Sequence, residues 1–227
     1  TYAIAVRDGL AAGAFSLADG TLVELVPRDG GHVLRGLDAQ AQPACSTDRW
    51  NPVSSSAEPP PAPPWQGYAK GATPPTIDVL ILYTAQAAAA AGGEAALRVQ
   101  ADLGIDLTNA AFANSGVMAT VRRLETRFVD YAESGDTGID LTLLWVRGDN
   151  TLEQVPAWRD ATGADMVAML VGTGDACGTA RLLRDYPDPP DTAYSVTRVS
   201  CITNQTFGHE RAHNLGCAHD RENATTG

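Results

Sequence analysis

His209-Glu210-Arg211-Ala212-His213-Asn214-Leu215-Gly216-Cys217-Ala218-His219-Asp220 is the stretch on which the reading of this 227-residue chain turns. His209 and His213 stand four positions apart, so on a helix they project from one face, one above the other. That spacing lets two imidazole nitrogens take neighbouring corners of a zinc (Zn2+) tetrahedron at about 2.0–2.1 Å. Glu210 then sits beside the metal without binding it. There it can take a proton from water whose pKa the metal lowers to roughly 7, and return it to the amine leaving a cleaved peptide bond. Gly216 falls midway between His213 and His219. A continued helix would carry His219 away, whereas glycine permits the left-handed turn that swings it back as third ligand. A fourth position left open marks a catalytic rather than a structural zinc site. Three of the four histidines in the chain lie in this one run, a poor fit to an amphipathic helix with surface histidines.

Upstream, residues 77–83 (Ile-Asp-Val-Leu-Ile-Leu-Tyr) read as a mostly buried strand. Residues 94–113 read as a helix that stops at Asn114-Ser115-Gly116. A second strand follows over 117–129, with Arg122, Arg123 and Arg127 partly outward. Residues 152–162 suggest another helix, with Pro156 tolerable only near its first turn. Residues 165–171 make a third strand. This alternation predicts an α/β (α+β) domain with a largely parallel sheet. Residues 54–75 carry Ser54-Ser55-Ser56, Pro59-Pro60-Pro61, Pro63-Pro64 and Pro74-Pro75, an extended, cleavable linker. Before it, Asp8-Gly9, Asp19-Gly20 and Asp29-Gly30 punctuate short apolar runs and predict a β meander. The expected organisation is therefore 1–53 β-rich, 54–75 linker and 76–227 catalytic.

A net charge of −11 and a pI near 4.6 argue against nucleic acid or anionic lipid as main partner. No apolar run is long enough to insert in a membrane. The first residue is Thr1 and the last Gly227, from which we expect a piece of a longer precursor whose signal peptide lies outside it. Four cysteines suit an oxidising compartment, so a secreted protein, extracellular or periplasmic, is the expectation.

His-Glu-x-x-His-x-x-Gly-x-x-His-Asp resembles the reprolysin/adamalysin branch of the metzincins. The surrounding text is similar to bacterial peptidyl-Asp metalloendopeptidases, notably residues 77–84, 108–116 and 163–167. The resemblance implies a metzincin-like catalytic domain: a twisted, mostly parallel sheet, an active-site helix and a β-rich propeptide remnant before it. It implies zinc ligation by His209, His213 and His219, Glu210 as base, a protein or peptide substrate, and a structural role for Asp220. Cys177-Gly178-Thr179-Ala180 resembles the edge strand that pairs with substrate backbone. The chain departs from the pattern in two places. Arg211 stands where an apolar residue is usual, and Met118, Met166 and Met169 all precede the motif, so no methionine turn follows it here.

Cys177 and Cys201 flank the segment between edge strand and active-site helix, and a disulfide between them would staple it; free buried thiols are the alternative. Cys45 sits just before the linker, within reach of the metal, and a thiolate is a good zinc ligand. It can hold the fourth zinc position and keep an enzyme latent, pair with Cys217, or remain free. The expected function is a secreted zinc endopeptidase, with a catalytically impaired or latent zinc-binding module, or a domain holding zinc for stability, as alternatives. The arginines of the second strand admit acidic substrates or plain surface charge.

Overall fold

Strand β5 (Thr76–Tyr83) divides the core by alternation. Val79, Ile81 and Tyr83 enter one apolar cluster and Leu80 and Leu82 the other, as the two-residue period of a strand requires. The computed structural model describes residues 2–38, 41, 43–47, 73–183 and 192–219. Residues 54–72 of the expected linker and Asp220 lie outside the described residues. β5 belongs to a five-stranded sheet in the order β6-β5-β7-β9-β8, with β6 (Thr120–Phe128), β7 (Met166–Val171), β8 (Gly178–Ala180) and β9 (Tyr194–Arg198). All pairs are parallel except β8 with β9. The mostly parallel α/β sheet expected from sequence is therefore present, with β8 as a short antiparallel edge.

Helices cover both faces, which is why β7 is buried along its whole length. On one side pack α1 (Ala85–Ala91), α2 (Glu94–Asn114) and α5 (Thr206–Asn214); on the other, α3 (Thr137–Trp145) and α4 (Val155–Thr162). α4 begins three residues later than the sequence suggests, because Pro156 belongs to its first turn. α1 and α3 were not anticipated. The alanine run of α1 is capped by the Thr84 hydroxyl, and α3 by Asp136. Arg122, Arg123 and Arg127 are taken up by Asp78, Asp102 and Glu125 at 2.7, 2.8 and 2.8 Å.

The N-terminal residues form an antiparallel meander of β1 (Tyr2–Arg7), β2 (Leu10–Ser16), β3 (Leu22–Arg28) and β4 (Gly31–Leu37). Its first and last hairpins turn on Asp8-Gly9 and Asp29-Gly30, all four at positive φ, the twist that matches flanking strands. This sheet packs on α2. Ala5 and Ala12 meet Val99 and Leu103, while Leu97, Ala101 and Ile105 of the same helix face the five-stranded sheet. Arg7 binds Asp102 at 2.5 Å, and the buried Glu24 accepts from Thr203 at 2.5 Å.

A disulfide joins Cys177 to Cys201, tying the entry of β8 to the turn that leads into α5. It closes a loop of 24 residues, for which chain entropy gives roughly 3–4 kcal/mol. The Cys177→Ser/Cys201→Ser protein is expected to lose about that much stability in a denaturant melt. A loss under about 1 kcal/mol would mean that packing alone fixes the loop.

Candidate active site

Helix α5 is anchored at both ends before its side chains do any chemistry. At its start the Asn204 side-chain oxygen accepts from the Thr206 amide and hydroxyl at 3.1 and 2.5 Å. Phe207, fully buried, packs on Gly104 of α2. At its end Asn214 donates to the carbonyls of Arg181 and Tyr194 at 2.9 and 3.0 Å, fixing the helix under β8 and β9. The helix stops by two capping bonds, Gly216 N–H to the His213 carbonyl (2.9 Å) and Cys217 N–H to the Ala212 carbonyl (3.0 Å). This pairing requires a left-handed residue at Gly216, whose φ is +89°. A Cβ there would also lie 2.8 Å from the Leu183 carbonyl oxygen, so glycine is needed for conformation and for space.

The turn returns His219 to the helix. His209 Nε2 stands 3.0 Å from His213 Nε2 and 3.1 Å from His219 Nε2. The edge of a tetrahedron with arms of about 2.0–2.1 Å is roughly 3.3–3.4 Å, so the two distances from His209 are near those of a zinc-sized site. His213 Nδ1 lies 2.7 Å from the Cys217 carbonyl, which can only accept. That bond puts the proton on Nδ1 and leaves the Nε2 lone pair turned to the centre. Cys45 Sγ joins the group at 3.6 Å from His213 Nε2. The four donor atoms lie within 4.8 Å of one another, nitrogen and sulfur ligands of the kind zinc takes.

Glu210 is fully buried beside this group. Its Oε2 accepts from Thr47 Oγ1 at 3.2 Å and from the Cys45 thiol at 3.7 Å, while Oε1 has no hydrogen-bond partner among the described residues. Burial pushes its carboxyl up to about 8, against the smaller opposing pulls of Cys45, Arg211 and Thr47. Burial, and next the charge of Glu210, raise the Cys45 thiol well above its usual range. A divalent cation at the histidines would reverse that preference for the thiol. Gly178 leaves room for the carboxylate, since a Cβ there would stand 2.5 Å from Glu210 Oε1.

Residues 44–47 lie along the free edge of β8. Ala44 accepts from the Cys177 amide at 3.3 Å, Ser46 donates to the Gly178 carbonyl at 3.0 Å, and Thr47 Oγ1 accepts from the Ala180 amide at 3.0 Å. The structure thus brings together the three histidines, Glu210 and Cys45, which sequence reading had grouped. Cys217 is a free, exposed thiol on the capping turn. Thr47, Gly178 and Asn214 were missed. Their importance comes from what the fold lays against them, for which the only local signal was the nearness of Thr47 to Cys45.

Arg211 is the anomaly. It is fully buried, and Nε, Nη1 and Nη2 all lack hydrogen-bond partners among the described residues. Burial lowers its pKa to about 10, with Glu210 opposing. Its guanidinium lies 4.7 Å over the Phe207 ring, an interaction of about 0.5–2 kcal/mol against a desolvation penalty of several.

Convergent imidazoles beside a buried carboxylate on an α/β scaffold are the arrangement of a metallopeptidase site. The chain belongs to metallo-peptidase family M12, whose reprolysin-type profile matches residues 73–227. It is 29% identical over 224 residues to the peptidyl-Asp metalloendopeptidase of Stenotrophomonas maltophilia (strain R551-3), covering 96% of this chain and 51% of that protein. With the peptidyl-Asp metalloendopeptidase of Xanthomonas campestris pv. campestris it shares 28% over 220 residues, 96% of this chain and 52% of the relative. The chain therefore spans about half the length of the curated relatives it matches. Among solved structures, metalloproteinase-II from Bacteroides fragilis superposes with a TM-score of 0.53 at 14% identity, over 97% of this chain and 70% of that one, a likeness of fold. Among the described residues no helix is long and apolar enough to cross a membrane.

Two substitutions test this account. Arg211→Leu is expected to stabilise the fold by about 1–4 kcal/mol in a denaturant titration, as replacement of a buried, unsatisfied ion does. A net loss would show that the guanidinium has a compensating partner. Gly216→Ala is expected to cost at least about 1–2 kcal/mol and to weaken metal binding in a chelator competition, because His219 follows the strained turn.

Proposed function

We propose that this chain is the latent form of a secreted zinc endopeptidase, with residues 1–53 as propeptide, 54–75 as the linker to be cut and 76–227 as the catalytic portion. His209, His213 and His219 are the zinc ligands, and Cys45 takes the fourth position until the linker is cleaved. The observation that carries this reading is the convergence of three Nε2 atoms and one thiol Sγ beside a buried glutamate, with residues 44–47 along the sheet edge.

Zinc, when bound, supplies Lewis acidity, making water a better nucleophile and a carbonyl oxygen more polarised. The protein's own residues do the rest. Departure of Cys45 and Thr47 frees Glu210 Oε2 beside the unpartnered Oε1, so the carboxylate can take a proton from the attacking water and pass it to the leaving amine nitrogen. The edge of β8, once clear, presents Cys177 N–H, Gly178 C=O and Ala180 N–H to an extended peptide. Gly178 leaves Glu210 the room that a side chain would take. The named relatives are peptidyl-Asp enzymes, and a protein or peptide substrate follows for this chain. The unsatisfied Arg211 favours one second reading, a zinc-binding module of impaired activity.

Zinc content, casein-type proteolysis and Cys45 labelling, measured together before and after cutting the linker, test the proposal. The expected result is one zinc per chain and a Cys45 that labels only once a chelator is added. Proteolysis should appear after cleavage and be absent in Glu210→Gln. One zinc with no proteolysis after cleavage would support the impaired module. A chain that binds no zinc would overturn both.

A further inference from the structure

Beside Cys45, the Ser46 side chain enters a small polar recess. Its hydroxyl lies 3.2 Å from Thr137 Oγ1 and also bonds Thr179 Oγ1, and those two threonine hydroxyls are 2.7 Å apart. Thr137 and Thr179 are both fully buried. Neither stands on the same element: Thr137 opens α3, and Thr179 is the middle residue of β8. Asp175 accepts from the Thr137 amide at 3.0 Å and from its hydroxyl at 3.2 Å.

These bonds have a direction. A carboxylate only accepts, so the single Thr137 hydroxyl proton goes to Asp175. Thr137 Oγ1 is then an acceptor, and Thr179 can donate to it. Thr179 Oγ1 in turn is left as an acceptor for whatever enters, and Ser46 supplies the donor. The backbone bonds of residues 44–47 advance together with 177–180, which sets the Ser46 side chain over this recess by register.

We infer that Thr137 and Thr179 form a specificity subsite next to the metal group, built for a small hydroxyl-bearing side chain that donates a hydrogen bond, with Ser46 standing in for the serine or threonine of a substrate. This rests on the reading that residues 44–47 occupy the substrate edge. The recess refuses a β-branched apolar side chain of the same shape, because such a group would leave the buried Thr179 oxygen short of a donor. Alanine fails for the same reason.

The test uses the full chain loaded with zinc, in a Cys217→Ser background so that Cys45 is the only free thiol, and reads its labelling rate. Serine and Ser46→Thr should both label slowly. Ser46→Val, isosteric with threonine, and Ser46→Ala should label roughly fivefold to tenfold faster, the equivalent of one buried hydrogen bond. In Thr179→Val the difference between Thr and Val at position 46 should fall within about twofold, and Thr179→Ser should restore it. Equal rates for Thr and Val at position 46, with Cys45 still protected, would overturn the subsite and leave the occlusion standing. Fast labelling of the parent chain with zinc bound would overturn both.

Discussion

Three imidazole Nε2 atoms converge on one point, His209 standing 3.0 Å from His213 and 3.1 Å from His219. The Nδ1 bond of His213 to Cys217 turns its Nε2 lone pair inward, and the surrounding scaffold sets the convergence. Two of the three come at the spacing of a helical turn; the third depends on the chain reversing within a few residues of His213. The reversal is secured by the paired capping bonds at Gly216 and Cys217, and the helix is held in place by Phe207 below and Asn214 above. The same turn carries the Cys217 carbonyl that fixes the His213 tautomer. One glycine thus sets helix length, the return of His219 and the His213 tautomer, so little in the motif could change alone.

Helix α2 imposes the second constraint. It is apolar on opposite sides, with Leu97, Ala101 and Ile105 toward the five-stranded sheet and Val99 and Leu103 toward the N-terminal meander. A helix of that kind is stable only when covered all round. The meander is therefore part of the fold's apolar economy, tied down by Arg7 to Asp102 and Glu24 to Thr203. The Glu24 bond reaches the loop just ahead of α5, so the N-terminal sheet bears on the histidine-bearing helix as well as on α2.

The local patterns were legible. The histidine spacing, the strand 77–83, the helix ending near Ser115 and the Asp-Gly hairpins all depend on neighbours within a few residues, and all stand in the structure. α3 was missed because its nine residues are short and its capping residue, Asp136, sits among other acids that read as surface. β9 was missed for its five-residue length. The partners of Glu210 and Ser46 were beyond reach for a different reason: Thr47 meets Glu210 across 163 residues, and Ser46 meets Thr179 across 133. Such contacts follow from topology, which no local pattern encodes. Arg211 was legible as an oddity, and its burial sharpens the point, since among the described residues the guanidinium finds no hydrogen bond.

The edge strand brings these threads together. β8 has only three residues and closes one side of the sheet, with backbone groups that would otherwise lie unpaired. An open edge recruits any extended chain, which is a hazard in a nascent protein and a use in a peptidase. On the proposed reading, residues 44–47 answer both demands. They satisfy the edge during folding, and they place Cys45 where a substrate carbonyl would later stand. Their hold is divided among backbone bonds, the Thr47 contacts to Glu210 and Ala180, and the hydroxyl recess under Ser46. No single one of these is strong, since a buried neutral hydrogen bond contributes about 1 kcal/mol. A segment held by several weak bonds and one metal contact stays closed while tethered, and can leave once the linker is cut and its local concentration falls.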